Sequence, residues 1–343
     1  MVGLKDIADK TGFSIRTVAR VINNNPNVNS ETREKVQKIV DELKYRPHFA
    51  ARSLKLRRTN IIGIVRYRTH VDPDNRRITL ISQQLAEAGY SILQGIYRDD
   101  ESRGKLIDHF RNVCDAIIMS PSSHEESLND YEKMAAEKYP FVILDPSPET
   151  PSSFNTVRID RAHGIADAVE TLVNSGKKNI LYLTTGKMGL SRLEGIKEGL
   201  RRKGLQLSSE NILSISQLSS MNTGTITGLN DEYETAMEAG YRLILENSAI
   251  GRDYNALFCY NDALAIGCMR GLYEKGIKVP EQVAVIGFDN VLYSKHTYIP
   301  LSTVAQPIEK PASAVVENIL AQLHGSKTET QVFPTEFVKR ASC

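Results

Sequence analysis

Four times in this chain a helix-forming stretch closes on glycine and an apolar run follows. The four endings are Ala86-Glu87-Ala88-Gly89, Val173-Asn174-Ser175-Gly176, Arg201-Arg202-Lys203-Gly204 and Tyr273-Glu274-Lys275-Gly276. Glycine takes the left-handed conformation that ends a helix without the penalty a Cβ brings. Around these helices lie short aliphatic runs: Ile61–Val65, Ser91–Ile96, Ala116–Met119, Phe141–Leu144, Val157–Ile159, Ile180–Leu183, Ala256–Cys259 and Val283–Ile286. Strands alternating with helices of about ten residues or more imply parallel βαβ units. The expected class is therefore α/β. From residue 60 onward the length suits two doubly wound parallel sheets with a crevice between them. Ser219–Asn230 is read as a polar loop.

The first 56 residues have another texture. Leu4, Ile7 and Ala8 mark one helix face, and Thr11-Gly12-Phe13 is a tight connection. Ser14 is placed to cap a second helix with Val18, Val21 and Ile22 inside and Ile15, Arg16, Thr17 and Arg20 outside. A third helix, capped near Ser30, repeats the spacing at Val36, Ile39, Val40 and Leu43. Two short helices joined through a glycine turn describe a helix-turn-helix, and the third closes a three-helix core. Any small helical bundle shows such stripes; charge separates the readings. Residues 1–58 carry 13 Lys and Arg against 6 Asp and Glu, a net of +7, while the remaining 285 residues carry −5. A basic block on a mildly acidic body is the footprint of phosphate-backbone binding. Next comes Tyr45–Arg58, where Pro47 and Ala50-Ala51-Arg52 favour a helix of roughly eight residues, too short to persist alone in water.

Apolar residues make up 41% and charged residues 24% of the chain, ordinary values for a globular protein. No apolar run approaches the roughly 18–20 residues that span a bilayer, and the N-terminus lacks a signal-peptide pattern, so a cytoplasmic protein without membrane contact is expected. Cys114, Cys259, Cys268 and Cys343 show no ligand spacing and read as reduced thiols. There is no P-loop, HExxH or GxSxG, and no GxGxxG after a strand; Gly224–Gly228 lacks that context. Neither enzyme, metal nor cofactor is expected. Polar residues at strand ends are informative, because ligands of open α/β sheets bind beyond the carboxyl ends of the strands. Asp145, Asn261-Asp262 and Asp289 hold such places, with Arg192 early in the helix after Ile180–Leu183. Carboxylates there accept from hydroxyls and an arginine donates a fixed fork. A strand-end Asp also caps the next helix, and for Asp262 both roles stay open.

Residues 4–55 resemble the head and hinge of the LacI/GalR family of bacterial transcription regulators. The resemblance rests on the TVxRVxN of Thr17–Asn23, the run Asn29–Val36 and the YRPxxxARSL of Tyr45–Leu54, in order and spacing. It implies a homodimer on a pseudo-palindromic double-stranded operator. Ser14, Ile15, Arg16, Thr17, Arg20 and Asn23 would enter the major groove. Arg52, Leu54 and Lys55 would act from a hinge that folds on DNA, with Leu54 a minor-groove wedge. Arg16 suits guanine and Ile15 a thymine methyl. The body resembles the family's periplasmic-binding-protein-like core, with IPLSTVAQP (Ile299–Pro307) and VFPTEFVKR (Val332–Arg340) as matching segments.

The implied organisation is a head (1–45), a hinge (46–58) and a core (59–343). The core divides into an N-subdomain of about 60–160 and 292–324 and a C-subdomain of about 161–291 and 325–343. Crossings are expected near Arg158–Arg161, Asp289–Lys295 and His324–Lys327. Asp145, Arg192 in SRLEG, Asn261 in YNDALAIG and Asp289 in GFDN match positions that contact a small carbohydrate-like effector; Gln306, Tyr67, Arg68 and Asp160 are weaker matches. Two departures stand out. Ala19 replaces a common Ser. The stretch Val65–Asn75 lacks the usual VVPDxxNPFF, and its Arg66 and Arg68 point to an anionic ligand such as a phosphosugar or sugar acid. That departure also leaves open control by a phosphorylated carrier protein as co-regulator. A transport solute-binding protein gives the basic head no purpose, and a cofactor enzyme lacks its nucleotide loop.

Overall fold

The computed structural model describes residues 2–23, 25–45, 58–67, 72–121, 127–184, 190–215 and 231–343. The chain divides into two compact units, Met1–Asn60 and Ile61–Cys343. The expected hinge helix with Arg52, Leu54 and Lys55, the ligand candidate Arg68 and the loop Ser219–Asn230 lie outside the described residues.

The first unit holds α1 (Leu4–Thr11), α2 (Ile15–Ile22) and α3 (Ser30–Glu42). Gly12 closes α1 at φ 73°, and its amide donates to the Ala8 carbonyl. The Ser14 hydroxyl accepts from the Thr17 amide at 3.1 Å, so α2 starts where expected. The cap of α3 is Asn29, whose side chain accepts from the Thr32 amide at 2.8 Å, rather than Ser30, which is the first helical residue. Ile7, Ala8, Val18, Val21 and Val36 form the buried core, with Leu4, Phe13, Ile39 and Leu43 packed around it. Each fully buried aliphatic side chain contributes about 1.5–3 kcal/mol.

The second unit contains two six-stranded sheets, among the described residues. The first takes β1 (Ile61–Tyr67), β2 (Ser91–Tyr97), β3 (Ala116–Ser120), β4 (Phe141–Leu144), β5 (Thr156–Asp160) and a late strand, Gln331–Pro334, in the order late strand-β5-β4-β3-β1-β2. Helices Asp72–Glu87 (α4) and Glu309–Leu323 cover one face; Asp100–Val113 (α5) and Asn129–Ala136 (α6) cover the other. The second sheet takes β6 (Ile180–Thr184), β7 (Ile212–Ser214), β8 (Ala256–Cys259), β9 (Ala284–Asp289), β10 (Ser302–Ala305) and a last strand, Glu336–Val338. Its faces are covered by α7 (Arg161–Asn174) with α8 (Leu190–Arg202), and by α9 (Asp231–Glu246) with α10 (Asp262–Glu274). The helix Glu309–Leu323 is α11, the strand Gln331–Pro334 is β11 and the last strand is β12. Every pairing is parallel except that of β12 with β10. Strands packed on both faces explain the uninterrupted apolar runs.

The chain changes lobe between β5 and α7, as expected near Arg158–Arg161. The other two crossings fall later than expected. β10 still pairs in parallel with β9, so residues 292–305 belong to the second lobe and the chain leaves it after Ala305, not near Asp289–Lys295. β11 still pairs with β5, so the last crossing is at Thr335, not at His324–Lys327. Both errors arise because short strands of four residues look like loop in sequence. The Thr335 hydroxyl donates to the Asp160 carbonyl at 2.9 Å and accepts from the Gly164 amide at 3.1 Å, tying the first crossing to the last.

Candidate functional site

In the head, the faces of α2 divide as a groove-reading helix requires. Val18 and Val21 are buried, whereas Ser14, Ile15, Arg16, Arg20 and Asn23 are exposed and Thr17 is half-buried. Ile15 is 50% exposed. Arg20 donates to the Asn27 carbonyl at 3.5 Å.

In the body, all three crossings leave from the carboxyl ends of strands, so the carboxyl edges of the two sheets face one another. Asp145 follows β4, Asp289 ends β9, Gln306 follows β10 and Tyr67 ends β1. Asp145 and Asp289 have φ of 56° and 109°, a conformation side chains other than glycine rarely adopt and one that clusters at functional sites. Asp289 is buried and accepts from Gln306 Nε2 at 2.6 Å. Gln306 Oε1 accepts in turn from Arg77 at 2.8 Å, and Arg77 also donates to the Pro307 carbonyl at 2.9 Å and to Asp74 at 2.8 Å. A hydrogen-bonded chain thus runs from α4 in one lobe, through the second crossing, to β9 in the other.

Arg192 is buried, with its guanidinium 3.9 Å from the Tyr260 ring and 4.2 Å from the Phe288 ring. Two aromatic faces attract the cation and offset part of the cost of burying it. Burial pushes the Asp289 carboxyl up to about 6, against the opposing pull of Arg192 and the Gln306 amide; Asp74 and Arg161 also act on it. Arg161 and Asp145 form a bidentate ion pair, with Nη1 to Oδ1 at 2.9 Å and Nη2 on Oδ2. Burial opposes the Arg161 charge, but Asp145 more than offsets it and the guanidinium is held above its ordinary value. Arg66 is buried and donates to Asn75 at 2.7 Å; burial lowers it from its ordinary value, with Asp74 opposing.

Other expected residues have local duties. Asp160 caps α7, accepting from the amides of Ala162 at 3.0 Å and His163 at 3.3 Å. Asn261 caps α10 through the Leu264 amide at 2.9 Å. Asp262 neither caps nor faces the cleft: it accepts from the Thr303 hydroxyl at 2.5 Å and the Val291 amide at 2.9 Å. Tyr67 packs edge-on against Tyr97 at 5.6 Å. Arg161, Asp74, Arg77, Tyr260 and Phe288 were not foreseen at the cleft. Only Arg161 carried a signal, as the residue after the strand end Asp160.

A family of bacterial regulatory proteins, the lacI family, matches residues 3–48, and a periplasmic binding protein-like domain matches residues 169–343. The HTH-type transcriptional repressor PurR of Vibrio atlanticus is 30% identical over 352 residues, covering all of this chain and 98% of its own length. The HTH-type transcriptional regulator AscG of Escherichia coli is 29% identical over 354 residues, again covering all of this chain and 98% of its own. The fold is similar to that of the lac repressor dimer bound to operator and the anti-inducer ONPF, with a TM-score of 0.82 and 23% identity over 99% of this chain and 98% of that one. Among the described residues no helix is long and apolar enough to cross a membrane. The head, the two-sheet body and these relatives agree: the chain belongs to the lacI family of bacterial regulatory proteins.

Proposed function

We propose that this regulator is a cytoplasmic, non-enzymatic repressor that binds a pseudo-palindromic operator as a homodimer and answers to a small carbohydrate-like effector held between its two lobes. The observation that carries the reading is the split of α2: an apolar face sealed in the head core and a face with Ile15, Arg16 and Arg20 turned to solvent. Arg16 donates to guanine, Ile15 meets a thymine methyl, and Ser14, Thr17, Arg20 and Asn23 complete the contact. Leu54 enters the minor groove at the operator centre, replacing stacking at a kinked step, with Arg52 and Lys55 near the phosphates or the groove. Asp289, Gln306, Arg192 and Asp145 form the effector site, while Asn261 and Asp160 serve it indirectly by fixing the helix starts beside it. An effector that prefers one lobe arrangement over the other shifts the operator-competent state; equal affinity for both shifts nothing.

The test is selection of operator DNA from a random pool with purified protein, repeated with sugars, sugar acids and phosphosugars. A palindromic site whose affinity moves with one compound is the expected result. A site that no compound affects removes the effector from the reading, and no enriched site removes the whole reading.

A further inference from the structure

We infer that Arg161 is the residue that selects the effector, by taking an anionic oxygen group on a sugar-sized ligand, and that Asp145 occupies its guanidinium until that ligand arrives. This rests on the reading of the cleft as an effector site. The planar fork of an arginine matches two oxygens of a carboxylate or phosphate, and Asp145 already sits on both arms of that fork. Asp145 belongs to the first lobe and Arg161 opens α7 of the second, so the pair lies where the lobes meet. Asp145 is held there by a left-handed backbone, with its amide donating to the Val157 carbonyl at 2.7 Å.

Unlike the sealed Arg77, whose side chain is 0% exposed, the pair stays reachable, at 14% for Arg161 and 13% for Asp145. Exchange explains the selectivity. An acidic ligand replaces one anion with another and frees Asp145 to accept ligand hydroxyls. A neutral sugar that drew Asp145 away would leave a guanidinium without its counter-ion in a poorly hydrated place.

Isothermal titration of the full-length protein tests this with matched pairs: glucuronate and glucose, galacturonate and galactose, gluconate and glucitol, glucose 6-phosphate and glucose. The wild type is expected to bind an acid at least about tenfold more tightly than its neutral partner, and the pair that responds identifies carboxylate or phosphate as the group read. Arg161→Gln should bring the acid-to-neutral ratio toward one. Arg161→Lys, which keeps the charge but loses the fork, should reduce it in part and serves where the glutamine variant fails to fold. Asp145→Asn should tighten the acid, because the internal competitor is gone. Neutral partners binding as tightly as acids, or Asp145→Asn weakening both alike, would overturn the assignment. No binding of any compound by protein that still retards operator DNA would instead overturn the effector reading, and the assignment with it.

Discussion

Arg16 and Ile15 are adjacent and exposed on α2, as the proposed contacts with bases require. Arg16→Ala should cost roughly 1–3 kcal/mol of operator binding and relax preference at one base pair. A loss spread evenly over all sequences would make Arg16 a phosphate contact. Asp262 shows the opposite case of a residue wholly engaged inside. Burial pushes its carboxyl up to about 8 from an ordinary 3.8, against the lowering effect of the Thr303 hydroxyl. The folded state therefore favours the neutral form. That contribution is complete below the ordinary value and is lost as pH climbs through about 8. The melting temperature of the wild type relative to Asp262→Asn should fall between pH 5 and pH 8.5; a constant difference would mean that Asp262 does not titrate there.

At the scale of elements, the joint between α7 and the last crossing is closely packed. A Cβ on Gly164 would lie 2.9 Å from the backbone of Thr335 and Glu336, so Gly164→Ala should destabilise the body by about 1–3 kcal/mol, readable in denaturant unfolding. An unchanged midpoint would show that the crossing yields freely. The eight strands bounded by glycine-closed helices were legible in the sequence, because strands buried on both faces need unbroken aliphatic runs. β7, β10, β11 and β12 were not: three or four residues each carry too little periodicity, and their pairing partners are distant in sequence. The same limit governed the cleft. Asp145 and Asp289 could be read from their places at strand ends and Gln306 entered only through the family resemblance, whereas Arg77 looks like any polar residue of α4. Only the fold brings it to Gln306, 229 positions away.

At the scale of the molecule, the proposed dimer needs an apolar surface, and the second lobe exposes several large apolar side chains. Tyr298 is 94% exposed, lies 6.4 Å from the ring of Tyr273, and has Leu292 nearby in sequence, itself 69% exposed. Patches of this kind mark association sites. Tyr298→Asp should lower the mass measured by light scattering toward that of a monomer and weaken binding to a palindrome more than to a half-site. An unaltered dimer would locate the interface on another face.

The late crossings carry a consequence for synthesis. The first lobe begins at Ile61, yet its sheet is finished by β11 and one of its faces is covered by α11, both drawn from residues 309–334. As the chain emerges from the ribosome, Ile62, Ile64, Ile81 and Val142 have α4 but lack α11 until the strands β6 to β10 of the second lobe have been made. The half of the body that is translated first is the half that must wait, exposed to its neighbours, until most of the other half has been made.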